Sequence, residues 1–160
     1  MSESLAQRIT EAADLVTVAL DALLPRGEGP EQRLTEATAQ RRSTYRALGD
    51  MRVEFQRTLS EPPSISRSAT AWWPAVVGLE QVLDAVTAVA LAVSRGATVP
   101  EAGVRQLCGA LKAVSEAASE GTPLPASIEL PDDETLKPIT EAVRSLLGVL
   151  ASGERLSSAA

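Results

Sequence analysis

The stretch EPPSISRSATAWWPAVVGLEQVLDAVTAVALAVS, residues 61–94, decides how the whole chain is read. From Trp72 to Val93 it is apolar enough to raise the question of a membrane span, which needs about 20 mostly apolar residues. Glu80, Gln81 and Asp84 interrupt that run. The reading is therefore the central, buried helix of a bundle. Trp72, Val76, Leu79, Leu83, Val86, Ala90 and Val93 recur at spacings of three and four and form one apolar seam. A neighbouring stripe carries Trp73, Val77, Glu80, Asp84, Thr87 and Leu91. This register starts the helix near Thr70, with Pro74 in its first turn, where the missing N–H has no intrahelical partner to lose. Glu61-Pro62-Pro63 stops the preceding helix, a Ser/Thr-rich link follows, and Gly96 caps the far end.

Four more helices follow from the same logic. Leu5, Ile9, Ala12, Val16, Ala19 and Leu23 make the seam of the first, which Pro25, Gly27 and Gly29 close. The second runs from about Pro30 to Ser60 with the seam Leu34, Ala37, Arg41, Tyr45, Leu48, Arg52, Phe55 and Leu59. The arginines on that line either snorkel at an edge or are buried and paired. Thr98-Val99-Pro100-Glu101 has the spacing of a capping box and opens a fourth helix with Val104, Leu107, Leu111 and Val114 inward. Gly121 and Pro123 close it. After a Pro-rich connection, Asp132 or Asp133 caps a fifth helix with Leu136, Ile139, Val143, Leu146 and Leu150 inward. The expected fold is all-α, a single antiparallel bundle of four to five helices over residues 1–155, with a frayed tail at 156–160.

Composition narrows the function. A net charge of −6 and a pI near 4.8 argue against nucleic acid as a partner. Positive charge is nevertheless concentrated in Arg33, Arg41, Arg42, Arg46, Arg52, Arg57 and Arg67. Without histidine and with Cys108 alone, the usual zinc sets, an internal disulfide and a histidine-dependent triad are out of reach. Cys108, beside Leu107 and Leu111, reads as a small buried hydrophobe. Ser60, Ser64, Ser66 and Ser68 crowd one turn with no base to activate them. Asp132-Asp133-Glu134 fits a helix start, where acids favour the dipole. No catalytic residue, metal ligand or cofactor is assigned, and the chain does not read as an enzyme. The start, MSESLAQRITEAADL, has acids and no apolar core, so no signal peptide is expected.

Folding the second and third helices about a pivot near Ser66 sets Arg52 level with Glu80 and Arg46 near Asp84. Two acids on an apolar helix need partners to offset desolvation, and these arginines supply them as a structural ion-pair network. The competing reading turns the arginines toward an anionic ligand. Likewise Tyr45, Phe55, Trp72 and Trp73 gather at this interface either as an aromatic plug, with Trp72 in the core, or as the wall of a ligand groove. Contact with a membrane surface or a neighbouring domain is the third possibility.

The segments RRSTYRALGDMRVEFQRTLSEPP (41–63) and AWWPAVVGLEQVLDAVTA (71–88) resemble the C-terminal soluble region of the fusaric acid resistance (FUSC) family. The resemblance covers residues 33–93 and weakens outside them. It implies a cytoplasmic portion of an inner-membrane transporter of small, often aromatic, organic acids, contributing to assembly, gating or substrate capture. Implied partners are the transmembrane portion of the parent protein and a small aromatic or amphipathic organic acid; a homo-oligomer is a separate expectation that the resemblance does not supply. Capture would use Trp73 and Tyr45 for the ring and Arg46 and Arg52 for the carboxylate. The alternative is a stand-alone, non-enzymatic helical interaction module.

Overall fold

The computed structural model describes residues 3–25 and 29–159; Gly27 and the side chains of Arg33, Leu34, Ser64, Ser66, Arg67 and Ser68 lie outside the described residues. Five helices account for its regular structure: α1 (Glu3–Asp21), α2 (Pro30–Leu59), α3 (Pro63–Ser94), α4 (Glu101–Glu120) and α5 (Lys137–Ala159). α1 packs on α2, α3 and α4, while α3 packs on α1, α2 and α5. The neighbours close a ring in the order α2, α1, α4, α5, α3, with α1 and α3 meeting across its middle. The packed pairs α1·α2, α2·α3, α1·α4 and α3·α5 run antiparallel.

Amphipathicity builds α1, α4 and α5. Leu5, Ile9, Ala12, Val16, Ala19 and Leu23 are all buried, as are Val104, Leu107, Leu111 and Val114, and Leu136, Ile139, Val143 and Leu146. Gly121 ends α4 with a φ of 66°, a conformation that costs glycine little, and its N–H donates to the Ala117 carbonyl. Asp133 Oδ1 accepts the Leu136 N–H at 3.0 Å just before α5, which singles out Asp133 rather than Asp132 as the cap. The helical backbone of α5 runs on over 156–159, the segment the sequence assigned to a frayed tail.

Between α4 and α5 the chain has no helix, yet it is not loose. Leu124, Ile128 and Leu130 pack against the core and Pro131 is buried. A Cβ on Gly103 would come within 2.7 Å of Leu136 and 3.2 Å of Pro131, so the end of this strap closes on the start of α4. About ten extended residues cover ~33 Å, and a 20-residue helix ~30 Å. The strap therefore returns the chain along the full length of α4, and α5 runs parallel to α4.

Three sequence expectations are corrected. First, α3 begins at Pro63, so the supposed link is helical and Pro74 lies well inside the helix. Pro63 is tolerated as the first helical residue. Pro74 is exposed to solvent. Second, the buried line of α2 is Thr44, Leu48, Met51, Phe55 and Thr58, turned by roughly 60° from the predicted seam. Tyr45 and Leu59 are each 44% exposed, and Arg52 is at the edge. Third, α4 has Pro100 rather than Thr98 as its N-cap, with no side-chain cap. Glu101 reaches forward to Arg105 instead, at 2.6 Å.

By length and composition Trp72–Ser94 could cross a membrane. Here it lies in the ring between α2 and α5, and only 39% of its most apolar window is buried. It is central in the fold, but far from fully enclosed.

Candidate functional site

The α2–α3 interface holds five of the six residues singled out in the sequence, Arg46 being the exception, and it builds upward from backbone register. Met51 and Phe55 face the core from α2, and Val76, Leu79 and Leu83 face it from α3. That leaves Tyr45 and Arg52 on the flank of α2 next to α3, opposite Trp73, Glu80 and Asp84 on the adjoining flank. Three cross-helix contacts share one antiparallel register. Tyr45 Oη donates to Asp84 Oδ1 at 2.7 Å. Arg52 donates from Nε and Nη2 to the two carboxylate oxygens of Glu80, a bidentate fork. Phe55 and Trp73 have ring centroids 4.7 Å apart, tilted by 34°.

The guanidinium of Arg52 also lies over the Trp73 ring, 5.6 Å from its centroid. Arg52 is thus held by a carboxylate at its edge and an indole at its face. Its side chain is 49% exposed and that of Glu80 24%, so the pair sits at the rim of the core, not within it. The bond from Glu80 raises the Arg52 pKa further. Tyr45 also titrates above its ordinary value, first because burial disfavours the phenolate and second because its proton is bonded to Asp84.

The structure brings together Arg52 with Glu80, and Trp73 with both Arg52 and Phe55. It does not bring Arg46 to Asp84. Arg46 is exposed and makes no ion pair or hydrogen bond in the described structure; Tyr45 takes Asp84 in its place. The reason is angular: with α2 turned, position 46 points outward and position 45 lies beside α3. Trp72 is half-buried against the core, a partial plug rather than an enclosed one.

Two contacts elsewhere were not anticipated. Ser115, 5% exposed, donates to Asp14 Oδ1 at 2.7 Å and ties α4 to α1. Cys108 is half-buried, with Sγ 3.8 Å from the Thr17 carbonyl, and burial pushes its thiol pKa up to about 11. No sequence periodicity marks a serine–aspartate pair of this kind. Tyr45–Asp84, by contrast, was available from the register that paired Arg52 with Glu80.

A crevice of about 20 Å³ opens where α1, α2 and α3 diverge, with Gln40 and Arg41 at its polar side and Ala19, Ala37 and Ala90 among its walls. It has room for about one water molecule. Among the described residues no three His, Cys, Asp or Glu side chains gather as a metal-ligand set. Comparison with family models, with curated proteins and with solved structures finds no match to this chain.

Proposed function

We propose that this chain is a cytoplasmic helical domain of a FUSC-like inner-membrane transporter of small, often aromatic, organic acids, and that its α2–α3 pair serves assembly. The observation that carries this reading is the three-rung clamp. The two segments that resemble the family supply both of its sides: Tyr45, Arg52 and Phe55 from one, Trp73, Glu80 and Asp84 from the other. A motif whose residues lock two long helices in fixed register suits a rigid connector between a membrane portion and the remainder of the bundle.

Assembly is favoured over substrate capture because the groups suited to a ligand are already satisfied within the chain. The Arg52 fork is filled by Glu80 and the Tyr45 hydroxyl by Asp84. A ligand carboxylate would have to exchange with Glu80, which leaves Arg46 as the open guanidinium of the four capture residues.

The native reading frame tests the parentage. Hydrophobic spans encoded upstream in the same frame, with the product in the membrane fraction, are the expected result. A native unit that starts and stops with this chain would overturn it in favour of the stand-alone module. Titration with aromatic carboxylic acids, followed by tryptophan fluorescence, tests the choice between roles. Assembly predicts no saturable quenching. Saturable quenching abolished by Arg52→Ala and Trp73→Ala would establish capture instead.

A further inference from the structure

The side of α3 turned away from the core carries a second pattern, separate from the buried seam. Pro74, Val77, Gln81, Asp84, Ala88 and Leu91 recur at alternating spacings of three and four. This is the a/d repeat of a coiled-coil seam. All but the half-buried Val77 are exposed, Leu91 to 52%. An exposed helix side ordinarily carries charge, whereas this seam has Asp84 as its one ionic residue. Within the fold the seam has helix α2 on one flank and α5 on the other, and no described element covers it.

We propose that this seam is a homodimer interface, in which α3 packs antiparallel on α3 of a second copy about a two-fold axis between Val82 and Leu83. The pattern is complementary to itself in that register. Val77 meets Ala88 of the partner and Leu91 meets Pro74 of the partner, so a larger side chain faces a smaller one at each apolar level. At the centre Gln81 meets the partner's Asp84, and the symmetric pair forms by the same operation. Asp84 Oδ1 accepts from Tyr45 in its own chain, which leaves Oδ2 to accept from the Gln81 amide across the axis. Polar residues in the middle of an otherwise apolar seam fix register and orientation, because any slip leaves them facing apolar groups. The seam is about 26 Å long from Pro74 to Leu91. With its α2 and α5 shoulders it suits a reversible dimer at the small end of specific interfaces. This inference does not rest on the transporter reading.

The test is oligomeric state by sedimentation velocity, from about 1 µM to 1 mM. A concentration-dependent dimer is expected. Ala88→Arg, placed on the exposed side so that the fold is kept (checked by circular dichroism), should weaken it more than tenfold. A chain that stays monomeric throughout, or a dimer indifferent to Ala88→Arg, overturns the proposal. Orientation has its own readout in a Cys108→Ala background. Gln81→Cys, only about 2 Å from the axis along the helix, should cross-link to itself on mild oxidation. Leu91→Cys should not, since an antiparallel pair holds those two positions about 25 Å apart along the axis. The reverse outcome refutes the antiparallel arrangement.

Discussion

At Gly78 the backbone of α3 packs closely on Leu146 of α5, and replacing it with alanine separates packing from propensity. A Cβ there would sit 2.7 Å from Leu146 Cδ1, 3.3 Å from its Cβ and 3.5 Å from its Cγ. Leu146 is fully buried, so its side chain cannot swing away without colliding with other core groups. Overpacking of this kind costs about 1–3 kcal/mol. Against it stands the helix preference for alanine over glycine, about 1 kcal/mol. The net expectation for Gly78→Ala is a loss of up to about 2 kcal/mol. Gly49→Ala and Gly109→Ala add a methyl with nothing within 4 Å, so they should stabilise by up to about 1 kcal/mol. Leu146→Ala alone should cost about 2–5 kcal/mol, but the Gly78 methyl would refill part of its cavity. The double variant should therefore lose less than the sum of the singles. Urea titration followed by circular dichroism gives these differences as midpoint shifts at constant slope. If Gly78→Ala stabilises as much as Gly49→Ala and the pair is additive, the close packing of α3 on α5 is wrong.

Three further outcomes follow from the packing and the titrating groups. Met51→Ala should cost about 2–5 kcal/mol and Val53→Ala, 65% exposed, should stay within about 0.5 kcal/mol; equal effects in urea titration would contradict the rotation of α2. Asp133→Ala removes the acceptor for the Leu136 N–H and should lower stability by about 1 kcal/mol, whereas Asp132→Ala should leave the urea midpoint unchanged. The raised pKa values of Cys108 and Tyr45 mean that the unfolded chain releases these protons first. The Cys108 contribution to stability is complete below about pH 9 and falls as pH rises toward 11, that of Tyr45 is complete below about pH 10 and falls above it, and thermal melts of Cys108→Ala and Tyr45→Phe should each show a shallower alkaline decline.

Helix number, most helix ends and the seams of α1, α4 and α5 were legible because large aliphatic residues there follow one helical period. α2 was misread for a physical reason. Its core line includes Thr44 and Thr58, whose hydroxyls bond back to the carbonyls of Gln40 and Glu54 at 2.8 Å and so enter the core satisfied. A reading that scores threonine as polar turns the helix toward Tyr45 and Arg52. The early start of α3 was hidden because consecutive prolines followed by serines ordinarily signal a turn. Within the candidate site, Arg52–Glu80 was reachable from antiparallel register alone. The Arg46–Asp84 pairing failed because it inherited the misjudged rotation, and one residue along a helix is about 100° around it.

The bond from Ser115 to Asp14 joins residues 101 apart in sequence, and it marks a debt incurred during synthesis. α1 leaves the ribosome before the other four helices, yet the helix that covers its α4-facing side is translated about 100 residues later. At ~5–20 residues per second that side waits on the order of 5–20 s for its partner. The nascent chain can pair α1 with α2 and α3 in the meantime, but the surface around Ala13 and Thr17 remains open until α4 arrives. A chaperone that meets this protein on the ribosome would find its binding surface there, on the α4-facing side of α1.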